Sequence, residues 1–591
     1  MFRDVFKSDT GKFRTLTYIS VRVASVLLAV VCAASCNSSA VSTRQFSKSD
    51  LLSAVEMIAL LPGEPASVSA GGLTRDETAL VTIENGSAYE SAVPNSRRLV
   101  IVGGLDGHLD SARLALDAVR WFKSSASDQE HARWVVSVLP FANPTNAEGM
   151  EEGVFPPVDG YFDDDDHPEL RYLWRWVSYQ VPDLVVELRV GDEIQFVNSV
   201  SLGSSAEMLP DGSLAGAMSL SANGSEIGPV NTMLVTAPPS EGARVMQEIL
   251  THARDQGSSL RAIVNKRLAR KPLDIAHLLA KRYPGTPGMS YIPAVAWTHT
   301  LRLAELVGDE SLRDKVLREV QPWLTGNEPL VGERPNLAGL AGTMVFGELS
   351  KSPSEYRESA AALASEGVSM AAREASPGVP EYGFGWSDDI FLGSIAAATA
   401  EDADGLASAV RMITLYAERL QQPDGIFHHS PEAPTAWGRG NGFAARGLAE
   451  TLTALGPSHT DREAVLEVYL RQMRGLKAYQ APDGMWRQVV DVPGSYRETS
   501  VTALTLTAMA RGIRLGWLDD SYQPIVDRAW NALLAHVNED GTLVDVCIST
   551  GAGDTLRHYL DRTAVNGADD RGGALVLGAA LEMHALLESA L

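Results

Sequence analysis

Between residues 95 and 200, short apolar runs alternate with segments of helical spacing. "RRLVIVGGL", "ARWVVSVLP" and "PDLVVELRV" are rich in valine, lack polar alternation and are bounded by turn residues. Strands covered on both faces read this way. Between them, "HLDSARLALDAVRWFKSS" and "HPELRYLWRWVSYQ" return to an apolar face every three or four residues. The alternation predicts an α/β domain with a mostly parallel sheet over residues 45–250.

The pattern changes near Lys271, after which alanine- and leucine-rich helical periods follow one another with no strand-like run. "QQPDGIFHH", "QAPDGMWRQ" and "VNEDGTLVD" each place Asp-Gly and an apolar residue after a helix. Their glycines, Gly425, Gly484 and Gly541, stand 59 and 57 residues apart. Such a period holds two helices and two loops, so residues 275–591 predict about six helical hairpins, with 251–274 as a linker. Six hairpins can close into an all-α (α/α)6 toroid or stack as an open superhelix. Closure gathers the loops that enter the inner helices around one depression.

A length of 591 residues with 45% hydrophobic content suits a globular chain of two large domains. The first 36 residues read differently. Arg3, Lys7, Lys12, Arg14 and Arg22 surround the start of "VASVLLAVVCAASC", an apolar run too short to span a bilayer comfortably and ending in small residues. This layout predicts a bacterial export signal. "AASC" resembles a lipobox with Cys36 as the lipid-bearing residue, which implies membrane attachment at the periplasmic or outer surface; cleaved soluble export and an uncleaved anchor are the alternatives. Beyond Cys36 only Cys547 remains, so a processed chain has no internal disulfide. Loss of residues 1–35 takes the net charge from −24 to −27, which argues against nucleic acid as a partner. An anionic substrate would need a few local arginines.

Four stretches carry candidate chemistry: "GWSDDIFLG", "GIFHH" followed by "WGRGNGF", "GMWRQVVDVPGSYRETS" and "GTLVDVCISTG". In order and spacing they resemble unsaturated rhamnogalacturonyl hydrolases, glycoside hydrolase family 105, over about residues 275–591. The resemblance implies an (α/α)6 barrel and an oligosaccharide substrate whose non-reducing end is a 4,5-unsaturated uronic acid left by a polysaccharide lyase. One carboxylic acid protonates C4, water adds at C5, and the hemiketal opens to release the aglycone. That chemistry requires no metal and no organic cofactor, and only one protonated acid.

By the same resemblance Asp388 is the proton donor and Trp386 walls the sugar ring. Read without it, "SDD" is a helix start, with Ser387 as cap and acids in the first turn. Asp389 is the adjacent competitor, turned about 100 degrees away on a helix. His429 matches the family's active-site histidine, while His428 is read as loop packing. Trp437 and Arg439 match site residues, and the Arg439 fork suits a uronate carboxylate. Asn441 is expected to cap a helix beginning near Phe443, with the glycines of the motif leaving room for sugar. The family usually has tryptophan where this chain has Phe443. Trp486 and Gln488 are candidates for lining the pocket; Glu498 reads as helix-start chemistry. The region "NLAGLAGTMVFGEL" has no aspartate where related glucuronyl hydrolases carry a second active-site aspartate, which implies a shifted substrate preference.

The amino-terminal half is similar to zinc carboxypeptidases over about residues 50–250, through "VGGLDGHLDS", "LPFANPTNAEG" and "PDLVVELRVGD". The places of the metal ligands hold Asp106, Leu109 and Arg189. Leucine and arginine do not bind zinc, so this half reads as non-catalytic: a carbohydrate-binding, docking or lid domain. "DDDDH" reads as a solvated acidic loop. The rival readings are a surface glycan-binding protein without catalysis, and a metallopeptidase working through the amino-terminal half.

Overall fold

The computed structural model describes residues 46–62, 66–90, 96–145, 154–155, 168–198, 209–220, 230–253 and 257–590. The leader with Cys36 and the run "DDDDH" lie outside the described residues.

The amino-terminal half forms a seven-stranded sheet from β1 (Ala66–Leu73), β2 (Ala79–Asn85), β3 (Arg97–Gly103), β4 (Trp134–Leu139), β5 (Leu184–Val190), β6 (Gln195–Asn198) and β7 (Asn231–Ala237), in the order β1-β2-β4-β3-β5-β7-β6. The three valine-rich runs are its parallel centre, β4, β3 and β5, extended in parallel by β7. Their lack of polar alternation is explained by position, since these strands are buried almost throughout. The edges are antiparallel, with β1 and β2 on one side and β6 on the other. The two helically spaced segments fold as Leu109–Ser125 and Pro168–Tyr179.

The carboxyl-terminal half closes into a ring. Its inner wall runs through Tyr291–Val307, the short pieces between Leu337 and Leu349, those between Asp389 and Ala400, then Gly438–Leu455, Thr499–Arg514 and Asp570–Ser589. Each inner segment packs on the next, and Asp570–Ser589 returns to pack on Tyr291–Val307, so the hairpins form a toroid and not an open superhelix. Glu310–Leu324, Arg357–Ala371, Ala403–Leu420, Arg462–Tyr479, Gln523–His536 and Pro272–Arg282 form the outer layer.

The Asp-Gly repeat has a repeated cause. Gly425, Gly484 and Gly541 have φ of 95°, 97° and 83°, a left-handed turn that favours glycine. At two of the three sites the turn is fastened identically. Gln421 Nε2 donates to the carbonyls of Gly425 and Val468, both at 3.0 Å, and Gln480 Nε2 to those of Gly484 and Ile525, both at 2.8 Å.

The expected linker 251–274 is not free chain. It contains the helix Ser259–Leu268, whose Leu260 and Val264 join the α/β core while Arg267 donates to the Ala535 carbonyl of the toroid at 2.9 Å. One apolar cluster also crosses the domain boundary, where Trp437, Met485, Val489, Tyr496, Cys547 and Tyr559 pack with the α/β core.

Candidate active site

The motif "WGRGNGF" is helix from its second residue: Gly438–Leu455 begins directly after Trp437, five residues before the expected start near Phe443. A Cβ on Gly438 would lie 2.3 Å from the Arg487 carbonyl, one on Gly440 2.5 Å from Ser387 Oγ, and one on Gly442 2.8 Å from Leu504 Cβ. The glycines therefore let three neighbouring segments press against the first turns of this helix; they do not open a space for sugar. Asn441 lies inside the helix and caps nothing. Its Oδ1 accepts from the Phe427 amide at 2.7 Å and its Nδ2 donates to the Phe427 carbonyl at 2.8 Å, so it fixes the strand that carries His429. Phe443 is packing, stacked on Phe391 and edge-on to Tyr291.

With that strand fixed, the Ser387 amide donates to the His429 carbonyl at 2.8 Å, which sets "WSD" beside the imidazole. Asp388 Oδ2 lies 3.3 Å from His429 Nε2. On the other edge of the ring, Nδ1 lies 2.8 Å from the Tyr559 hydroxyl. The Trp386 and Trp437 rings flank the imidazole at centroid distances of 5.1 and 4.6 Å, and the Arg439 guanidinium lies 5.2 Å from the centre of the Trp437 ring.

The proton arrangement follows from hydrogen-bond accounting. Burial lifts the Tyr559 phenol above its ordinary pKa, and Asp388 adds to this against the Gly553 amide. The phenol is therefore neutral. With the imidazole proton on Nε2, where Asp388 Oδ2 lies 3.3 Å away to accept it, Nδ1 accepts from the phenol, whose oxygen accepts from the Gly553 amide at 3.1 Å.

The two adjacent aspartates are separated by their surroundings. Asp389 Oδ2 accepts from the Phe384 and Gly385 amides at 2.9 and 2.8 Å and from the Tyr416 hydroxyl at 2.8 Å, away from the imidazole. Burial raises its pKa to about 6 against these three donors. Asp388 makes no capping bond at the helix start, so the reading of "SDD" as a simple helix start fits only its second acid.

Arg439 is buried, with Nη2 donating to the Cys547 and Ile548 carbonyls at 2.9 and 2.8 Å. Gln488 Nε2 donates to the Tyr559 carbonyl at 3.2 Å. Trp486 is a correction: it is fully buried in the toroid core, with Nε1 donating to the Leu476 carbonyl at 2.7 Å, and does not line the site. Glu498 accepts from the Ser500 and Val501 amides as the cap of Thr499–Arg514. Glu348, the acid at the end of "NLAGLAGTMVFGEL", pairs with Arg302 at 2.9 Å, apart from Asp388 and His429. His428 is half-buried and outside the cluster.

Two tyrosines escaped sequence reasoning. Tyr559 holds His429, and Tyr291 lies within the fields of Arg439, Arg571, Asp388 and Asp569. Neither stands in a motif, and each is brought in by ring closure. Arg571 reaches the same Cys547 carbonyl as Arg439, at 3.2 Å.

Around this cluster four buried polar atoms, Ser387 Oγ, Trp437 Nε1, Arg439 Nη1 and Gln488 Oε1, have no hydrogen-bond partner among the described residues, while Asp388 Oδ2 and His429 Nε2 face only each other. Native interiors leave few such atoms, so their convergence marks a surface built to receive polar groups. No group of three or more His, Cys, Asp or Glu side chains able to hold a metal is found among the described residues. In the amino-terminal half, Asp106 accepts from the His108 amide and the Ser111 hydroxyl, while Arg189 pairs with Glu187 at 2.6 Å.

Residues 386–587 match the family model described as Glycosyl Hydrolase Family 88. Among curated relatives, the unsaturated 3S-rhamnoglycuronyl hydrolase of Alteromonas sp. (strain LOR) is 31% identical over 111 residues, 18% of this chain and 27% of that protein. The unsaturated rhamnogalacturonyl hydrolase YesR of Bacillus subtilis (strain 168) is 24% identical over 177 residues, 28% of this chain and 50% of that protein. The chain thus spans about a quarter to a half of the length of these relatives. A solved glycoside hydrolase of family 105 from C. acetobutylicum ATCC 824 aligns with 53% of this chain and 99% of its own, at 20% identity and a TM-score of 0.48. The stretch matched by that family model, 386–587, holds Asp388, His429, Trp437, Arg439, Gln488 and Tyr559.

Proposed function

We propose that this protein is a glycoside hydrolase that removes a 4,5-unsaturated uronic acid from the non-reducing end of lyase-generated oligosaccharides, from pectic rhamnogalacturonan or a related uronic-acid polysaccharide. The observation that carries this reading is the convergence of unpartnered buried groups on Asp388 and His429 between Trp386 and Trp437. A flat unsaturated ring suits an aromatic wall. Arg439 Nη1 supplies a charged donor for the uronate carboxylate.

In the reaction, the Asp388 carboxyl proton passes to C4 and the C4=C5 electron pair forms the new C–H bond. The cation left at C5 is shared with the ring oxygen. Water adds at C5 and returns a proton to the Asp388 carboxylate, and His429 Nε2–H steadies that carboxylate in both steps. The C5 hemiketal then opens, and the hemiacetal left at C1 collapses to an aldehyde, expelling the aglycone as an alcohol. One acid suffices because the same carboxyl gives and recovers the proton.

The amino-terminal half reads as a non-catalytic relative of zinc carboxypeptidases; the pairing of Arg189 with Glu187 supports this. The leader-like residues 1–36 and Cys36 support export and lipid attachment at the bacterial periplasm or surface.

The test is incubation of the full chain with unsaturated products from pectic, ulvan and glycosaminoglycan lyases. Loss of the ultraviolet absorbance of the conjugated uronate is expected for at least one. Persistent absorbance in all three, with ligand binding retained, would leave a glycan-binding protein instead.

A further inference from the structure

The segments that hold the catalytic groups are themselves held from behind by the α/β domain. The strand Leu543–Cys547 ends in the carbonyl that accepts from Arg439 at 2.9 Å. Two residues earlier, Asp545 Oδ1 meets Arg175 Nε of the helix Pro168–Tyr179 at 3.2 Å, both side chains buried. The Arg175 guanidinium also lies 4.9 Å from the centre of the Tyr496 ring, and the Tyr496 carbonyl accepts from the Gln488 amide at 2.8 Å.

The short helix Leu556–Leu560 repeats the arrangement. Tyr559 gives its hydroxyl to His429, while two residues earlier Arg557 Nη1 donates to the Thr74 and Arg75 carbonyls beyond β1, both at 3.3 Å. A third clamp acts on the segment before Thr499, where Arg497 pairs with Glu84 at 3.6 Å and donates to the Ala70 carbonyl at 3.3 Å. Two adjoining backbones approach closely enough that a Cβ on Gly494 would lie 2.4 Å from the Gly72 carbonyl. In the first two cases one face of the segment touches the site and the other the α/β domain; in the third, Glu498 beside Arg497 accepts from the Cys547 amide at 2.8 Å.

We propose that the α/β domain is a positioning element of the active site, setting through Arg557 and Arg175 the places of the Tyr559 hydroxyl and the Cys547 carbonyl and so the orientation of His429 and Arg439. The proposal rests on the hydrolase reading of that site. It assigns the amino-terminal half a role that needs neither a metal nor a glycan of its own.

The test is a double-substitution cycle in the full chain, read with an unsaturated disaccharide that the unaltered protein turns over. Tyr559→Phe removes the donor to His429 and is expected to lower kcat about tenfold with little change in KM. Arg557→Ala keeps the Tyr559 hydroxyl but frees its helix from the turn after β1, and kcat is expected to fall about fivefold. Since Arg557 acts through Tyr559, the double variant should match Tyr559→Phe alone, and the two single variants should displace the pH profile of kcat in the same direction. Arg557→Lys, which keeps a donor of the same charge, should recover most of the loss.

An unchanged kcat in Arg557→Ala, or losses that multiply in the double variant, would overturn the proposal. If Arg557→Ala does not fold, the same cycle with Arg557→Gln, which keeps side-chain length but loses the charge and the second donor nitrogen, decides between coupled and independent effects. Absence of turnover in the unaltered protein would instead strike the hydrolase reading, so the two failures are distinct.

Discussion

Arg439 and Arg446 lie on one helix, seven residues or about 10 Å apart, and both are buried. Their surroundings differ. Near Arg439, four buried polar atoms lack partners among the described residues, and Nη1 is one of them. Around Arg446 the inner wall closes on itself: Arg446 and Arg511 pair with Glu450, Arg511 and Arg514 with Glu582, and Arg302 with Glu348. His299 joins by accepting from Arg446 at 3.2 Å and is kept neutral by burial and the neighbouring arginines. The same residue type therefore marks two roles: Arg446 faces a carboxylate that neutralises it, whereas Arg439 donates only to backbone carbonyls and keeps a donor to spare.

The sharpest break of this contrast is Asp388→Asn. It removes the transferable proton while keeping shape, so kcat should fall about a thousandfold with the thermal midpoint unchanged and oligosaccharide affinity retained. Calorimetric binding alongside the rate assay checks both halves; lost affinity would mean that Asp388 binds and does not protonate.

At the closed end the reverse is expected. Glu450→Gln strands Arg446 and Arg511 and should cost about 3 kcal/mol of stability near neutral pH, with kcat of the folded protein unaltered. Burial opposes the charge on Glu450, but Arg446, Arg511 and Arg302 outweigh it and hold the pKa well below its ordinary 4.5. A depressed carboxyl stabilises the fold above that ordinary value and ceases to as the pH falls. Denaturation series should therefore show the gap between the two proteins narrowing below pH 4.5. Arg439→Lys is expected to be milder: a KM about thirtyfold higher, because lysine keeps the charge but cannot both hold the Cys547 carbonyl and present a second planar donor.

How far the sequence foretold this contrast depended on locality. The strands β3, β4 and β5 announced themselves because burial on both faces writes an unbroken apolar run, and the hairpin period showed because each turn needs Asp-Gly at one place. Asp388, His429, Trp437 and Arg439 were legible through their motifs, and the structure draws them together. Trp486 misled because a tryptophan beside a turn reads alike whether it faces sugar or core. Asn441 and the motif glycines were assigned to a loop since their helix lacks a capping residue and carries three poor helix formers, a cost accepted for close packing against Ser387, Arg487 and Leu504. Tyr291 and Tyr559 had no local signal at all, because only closure of the ring and docking of the α/β domain bring them to His429 and Arg439.

The finest test of the comparison lies within two adjacent residues. Asp389 has its bonding capacity filled, by two amides and the Tyr416 hydroxyl, whereas its neighbour Asp388 does not. If filled capacity marks structure and spare capacity marks chemistry, Asp389→Asn should change kcat by less than about twofold and cost about 1 kcal/mol of stability, since the amide keeps one acceptor oxygen but sets an NH2 against donors. The pH dependence carries its own sign. Burial lifts the Asp389 pKa from 3.8 to about 6, so between those values the folded chain holds more protons than the unfolded one. Rising pH across that window weakens the folded state of the unaltered protein, and the slope vanishes above it. Asp389→Asn cannot titrate, so its stability curve should lack that slope, and the advantage of the unaltered protein should be greatest at the acid end of the window. A variant that lost turnover as Asp388→Asn does, with the fold intact, would make Asp389 the proton donor.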